Sequence, residues 1–451
     1  MMITIQWILV ILSLIQINAA DGWAVTDVNS TIATCDFNAC DSQRTSCSSN
    51  VDCDCFSLTS NPNKGICASA IFSCSSFVRC NMDNVTCSID STICVNSIRC
   101  GQPICYPLPM ANKQICPSKT VARWLYTSSM HNARNGHTSS VLLNGKVLVA
   151  GGSSGNTTEL YDPSTGTWTT TSNMNNARRR HTTSVLLNGK ILVAGGSGNT
   201  GHLNTAELYD PSTSTWTTTS NLNNVRYWHT ASVLLNGKVL VTGGLSDSGY
   251  LNSPELYDSS TNTWTAMSNM NNARFWHTAS VLLNGKVLVT GGYGNNGPLN
   301  TAELYDPATG TWTSTSNMNN ARFHHTASVL SNGKILVIGG VDYSGAHYLN
   351  SAELYDPSIG TWLTTNNMNN ERGEHTASVL SNEKVLVTGG YNSNIGILNS
   401  AELYDPSAGT WTTTSNMNNA RYHHTASVLS NGKILVTGGY NSGSLNSAEL
   451  Y

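Results

Sequence analysis

Between residues 124 and 451 the apolar positions come in bursts of four to six, without a helical rhythm, and the same order of bursts returns seven times. In one copy the run Thr230-Ala-Ser-Val-Leu-Leu235 leads through Asn236-Gly237 into Lys238-Val-Leu-Val-Thr242. Asn-Gly between two such runs is a strong hairpin signal. The second run is apolar at successive positions rather than alternating, as expected of a strand covered on both faces. A polar stretch follows, then Glu255-Leu-Tyr-Asp258, a turn, and Trp264. The pattern predicts four short antiparallel strands per copy.

The copies recur every 44 to 50 residues, counted between successive histidines from His137 to His424. A period of this length built from four strands predicts the blades of a propeller. Trp124 lies ten residues before Arg134, as Trp168 lies ten before Arg178, and the last copy stops at Tyr451 with three strands. An orphan strand at one end and a missing one at the other predict a ring closed by pairing the two. The paired glycines Gly151-Gly152, Gly195-Gly196, Gly243-Gly244, Gly291-Gly292, Gly339-Gly340, Gly389-Gly390 and Gly438-Gly439 follow the second run. A Tyr-to-Trp step of seven residues follows them, as in Tyr161/Trp168 and Tyr257/Trp264. These motifs resemble the kelch repeat over about three quarters of the chain. The expected fold is all-β, a seven-bladed kelch propeller over 121–451.

Differences between the copies are confined to two places. Each His stands 15 positions before the second glycine of its pair, and each Glu of Glu-Leu-Tyr stands 22 before the next His. Length therefore varies only between strands two and three, where the loops run from 6 to 12 residues. The other variable place is the residue pair between Arg and His. In an antiparallel blade both places open on one face, and one-sided variation marks a binding surface. The candidate contacts are Arg178, Arg179, Arg180, Arg226, Tyr227, Trp228, Arg274, Phe275, Trp276, Arg322, Phe323, His324, Arg421, Tyr422 and His423. Arginine with aromatic rings suits binding hot spots. Kelch adaptors that capture acidic peptides use arginines at this position, so the resemblance implies the same for the repeat Arg. A structural pairing with the Glu of Glu-Leu-Tyr competes with that role. The seven repeat histidines are too far apart around a ring to share one metal ion, and hydrogen bonding is expected of them.

Only 11% of residues are charged and the formal net charge is −3, which offers nothing to nucleic acid or an anionic membrane. Residues 1–20 read as a signal peptide, with the apolar run Trp7–Ile15 too short to span a bilayer and Ala19-Ala20 for cleavage. No transmembrane segment is expected after its removal. All 13 cysteines fall between Cys35 and Cys116. Their density predicts a small disulfide-stapled module over 21–120, ahead of the propeller, in a secreted protein. Sequons at Asn29, Asn84 and Asn156 predict glycosylation.

The resemblance also raises an enzyme: galactose-oxidase-like proteins share the kelch propeller but need a Cys linked to a Tyr within it. This propeller has no Cys. Nor does the Asp162, Gly166, Trp168 spacing fit a sialidase turn. The expectation is therefore a secreted or cell-surface module that recognises a protein or carbohydrate, without cofactor, metal or catalysis. A structural matrix or coat component is the alternative.

Overall fold

The computed structural model describes residues 34–36, 53–58, 61–69, 78–79, 92–97, 102–107, 123–342 and 347–451. The chain divides into two units, Met1–Val121 and Ala122–Tyr451. In the first, six strands form one sheet in the order Thr34–Asp36, Asn61–Ser69, Cys53–Leu58, Thr92–Ser97, Gln102–Pro107, Val78–Arg79. Val95, Ile104 and Tyr106 are buried there. The signal peptide, Asn29, Asn84 and the cysteine side chains lie outside the described residues.

The second unit holds seven four-stranded antiparallel sheets. Thr230–Val233, Val239–Thr242, Glu255–Asp258 and Thr263–Ala266 form one of them, in chain order. First strands of successive blades lie side by side around the axis, and Thr425–Val428 of the last returns to Thr138–Val141 of the first. Every residue of every second strand is buried. The unbroken apolar runs have a direct use. Val239 and Val241 pack against Leu192 and Ala206 of the preceding blade, while Leu240 packs with Val287 and Val289 of the following one. Each blade is thus a wall of two cores.

The repeat motifs are the joints between blades. The second glycine of each pair donates its N–H to the carbonyl of the next blade's repeat Arg, as in Gly244 to Arg274 at 2.8 Å. The first glycine has no alternative residue: Gly243 sits at φ +61, and a Cβ there would lie 2.4 Å from the Arg274 oxygen. Each repeat His bonds through Nε2 to a Thr of the preceding blade, as His277 does to Thr230 at 2.9 Å. The indole of each repeat Trp donates to a carbonyl one blade back, Trp264 to Ser220 at 3.0 Å.

The ends close the ring with the same joints. Leu125–Tyr126 pairs with Ala448–Leu450 as a fourth strand. Trp124 donates to the Ser415 carbonyl at 2.8 Å. His137 bonds Thr425 at 3.0 Å, and Gly439 donates to Arg134 at 2.9 Å. Trp124 meets Tyr451 at a ring separation of 5.0 Å, the same as Tyr161 and Trp168 within the first blade.

Candidate binding face

The two residues between Arg and His take opposite roles. The backbone of the first pairs with the loop after the glycines: Arg179 with Ser197, Tyr227 with Leu245, Phe275 with Tyr293, Phe323 with Val341, Gly373 with Tyr391, Tyr422 with Tyr440. The two variable places therefore share one face, as the connectivity requires. The second residue is left-handed in all seven blades, with φ between 53° and 60° at Gly136, Arg180, Trp228, Trp276, His324, Glu374 and His423. For a residue with a Cβ this conformation costs roughly 1–2 kcal/mol. It persists because the surroundings over-determine it, a condition typical of functional positions.

These residues form a collar around the propeller axis on one face. The N–H of six of the seven donates to the carbonyl of its counterpart one blade back, among them Arg180 to Gly136 at 3.0 Å, Trp228 to Arg180 at 3.1 Å, Glu374 to His324 at 3.0 Å and Gly136 to His423 at 3.3 Å. Side chains follow one another around the axis. The Arg180 guanidinium lies 4.0 Å over the Trp228 ring. Trp228 meets Trp276 edge-on at 4.6 Å, and Trp276 lies 4.0 Å from His324. His324 and His423 flank Glu374, each with Nε2 on one carboxyl oxygen, at 3.3 Å and 3.2 Å.

Burial governs this cluster's protons. It pushes the Glu374 carboxyl up to about 7, against the pull of Arg180. It lowers His423 to about 4 and His324 well below the imidazole range, with Arg180 adding to both shifts. Glu374 is thus protonated between neutral imidazoles over much of the acidic range, a hydrogen-bonded set rather than an ion pair. Arg180 is held beside them as a cation.

The expected contacts separate on this geometry. Arg180, Trp228, Trp276, His324 and His423 converge on the collar, half-buried. Tyr227, Phe275 and Phe323 are buried beneath it as packing, Tyr227 stacked on His202 at 4.0 Å and Phe323 on Trp276 at 5.5 Å. Tyr422 lies outward between Tyr391 and Tyr440, and Arg179 is exposed. The repeat arginines require a correction. Arg178, Arg226, Arg274, Arg322 and Arg421 are at most 1% exposed and reach no surface. Each donates to the first glycine's carbonyl and to the repeat Glu, as Arg274 does to Gly291 at 2.7 Å and Glu303 at 2.7 Å. That Glu also accepts two backbone N–H groups, those of Asn271 and Asn272 for Glu303. Such a saturated buried pair is framework. Asn156 also takes part in the framework, its Nδ2 donating to the Met174 carbonyl at 2.8 Å.

Sequence reasoning missed Glu374 and the outer rings Tyr250, Tyr293, Tyr348, Tyr391 and Tyr440. A signal was present, since Glu374 is the single acid among the variable pairs. Among the described residues no group of three or more His, Cys, Asp or Glu is arranged to hold a metal ion. The opposite face is less uniform than its turns suggest. Leu143, Leu187, Leu235 and Leu283 stand more than 70% exposed on four successive blades, where the other three carry Ser.

The Kelch motif model matches residues 134–175, 178–223 and 372–418. The KLHDC2/KLHL20/DRC7 Kelch-repeats domain matches 217–374, and the two together span more than half of the chain. This chain belongs to the Kelch-repeat propellers. Among solved structures, the Kelch propeller is similar to a fungal alcohol oxidase of the AA5 family in complex with copper. The TM-score is 0.63 at 22% identity, over 73% of this chain and 76% of that one. It is also similar to YjhT, with a TM-score of 0.52 at 17% identity, over 64% of this chain and 99% of that one. At these identities the likeness is one of fold. No curated protein matches the chain.

Proposed function

We propose that this Kelch propeller is a non-catalytic recognition module that binds a protein or glycan at the collar face. In this reading it is exported behind a disulfide-stapled N-terminal module. One observation carries it: seven superimposable left-handed positions hold Gly, Arg, Trp, Trp, His, Glu and His on a ring of otherwise repeated joints. A scaffold that fixes its backbone and diversifies the side chains on one face is arranged for selective contact. Kelch propellers are interaction scaffolds, which supports the same reading. The competing reading, a structural component, draws on the way the collar rings already stack on one another.

The test is a screen of glycan and peptide arrays with the wild-type protein and with Trp228→Ala/Trp276→Ala. Both residues are half-buried and outside the blade joints, so unfolding by heat should shift by no more than a few degrees. A saturable hit lost in the variant supports recognition at the collar. Saturable binding that survives in the variant places the contact elsewhere, and no hit for either protein favours the structural reading.

A further inference from the structure

Arg180 is the one permanent cation of the collar; burial and Arg179 work against its charge, and Tyr227 and Glu374 favour it. Its guanidinium rests on Trp228, and among the described residues no carboxylate or other acceptor is paired with it. Arg179 beside it is exposed and likewise without an acid, and the two cations repel. A partly buried, unpaired guanidinium is costly and attracts an anion with which it can form two hydrogen bonds. The neighbouring collar position is Gly136, where even an added Cβ would meet nothing closer than the Arg180 Cγ at 4.0 Å. The collar is therefore open on that side. Beyond it stands a neutral hydroxyl and amide cluster: Asn135 Nδ2 donates to Ser444 Oγ at 2.8 Å, and Ser153 and Ser444 share a hydrogen bond at 2.9 Å.

Resting on the collar as the recognition site, we propose that its ligand is a sugar acid. Its carboxylate is held by Arg180 across the gap at Gly136, its hydroxyls reach Asn135, Ser153 and Ser444, and binding requires Glu374 to be protonated. The class follows from what remains open. Six of the seven collar amides, and the first residues of six of the variable pairs, are already hydrogen-bonded to one another and to the loops, so among the described residues a peptide finds no run of free strand amides at the collar. Hydroxyls, an amide and one cation are left.

The proton requirement follows from charge. Glu374 and Arg180 sit on the same collar and each feels the other's charge, so an ionised Glu374 both offsets the cation and repels an incoming carboxylate. His324 and His423 contact Glu374, and Arg180, Tyr348 and Tyr422 are the other charged or titratable groups its charge acts on. Both imidazoles are shifted down, His423 to about 4, and both phenols up, Tyr348 to about 12. Glu374 is then the group of the cluster that changes charge near neutrality.

The experiment is calorimetric titration of the full chain at pH 6 and pH 8. The probes are an oligosaccharide ending in glucuronate, its neutral glucose-ended counterpart, and an acidic hexapeptide. The glucuronate remains ionised throughout, so any pH dependence belongs to the protein. The glucuronate probe should bind, with affinity roughly tenfold lower at pH 8 than at pH 6. The neutral sugar and the peptide should bind at least tenfold more weakly at pH 6. Glu374→Gln should bind the glucuronate probe equally at both pH values, and Arg180→Gln should lose it. Should Arg180→Gln fail to fold, the pH profile of Glu374→Gln decides alone. Equal binding of the neutral sugar or the peptide, a flat wild-type profile, or no binding of any probe overturns the proposal. Recognition at the collar survives that failure if another array ligand is lost in Trp228→Ala/Trp276→Ala.

Discussion

Glu374 faces two imidazoles and a guanidinium that would ordinarily favour its carboxylate, yet it keeps its proton up to about 7. Desolvation outweighs the charges because both imidazoles are themselves kept neutral by burial. The sign of the consequence is fixed. Relative to an unfolded chain, where a Glu loses its proton near 4.3, the folded state holds it more tightly. The stability this contributes is complete below the ordinary carboxyl range and is lost as pH rises through about 7. Glu374→Gln should therefore gain stability over wild type on going from pH 5 to pH 8, by on the order of 2–3 kcal/mol. Urea denaturation at the two pH values measures the difference. Nothing in the sequence announced this shift. Glu374 was passed over there, although it is the single acid among the variable pairs, and its two His neighbours come from blades one before and one after its own.

At the level of the blade joint, seven histidines are buried and bonded to threonines of the preceding blade. Burial lowers all seven, His277 and His375 to about 3. Here the folded state resists protonation. The stability is present above the ordinary imidazole range, near 6.5, and is lost as pH falls below it. Acid unfolding should begin below about pH 6 and be steep, since unfolding releases several imidazoles to protonate together. Circular dichroism of the full chain from pH 7 to pH 3 tests this, and a Thr230→Val/His277→Phe pair should shallow the transition. The hydrogen-bonding role of these histidines was legible in their even spacing, which forbids convergence on one ion. The repeat Arg was less legible. Its pairing with Glu was one of two readings, and the choice depended on the Asn-Asn amides that fold onto the same carboxylate.

For the whole propeller, closure is a single two-residue strand with the joints around it. Leu125–Tyr126 is exposed, whereas Trp124 is buried against Leu386, Ile434 and Val436. Trp124→Ala should cost about 3–5 kcal/mol, because it removes that packing and the indole N–H that donates to the Ser415 carbonyl. Hydrogen exchange should then show the last blade, Thr425–Leu450, opening before the other six. Uniform loss of protection across all blades would mean that closure is not held at this point. The Trp124-to-Arg134 spacing made this joint readable, since it repeats the internal Trp168-to-Arg178 step.

Strand order, blade number and closure follow from the chain alone, because each is set by local chemistry repeated at a fixed spacing: Asn-Gly turns, apolar runs two faces wide, paired glycines that admit no Cβ. The candidate face was visible as a place and not as a site. Which of each variable pair joins the collar depends on a left-handed turn that only packing against the neighbouring blade enforces. The association of Arg180, Trp228, Trp276, His324, Glu374 and His423 belongs to the ring as a whole, since residues up to 243 positions apart meet only when seven blades curve round one axis.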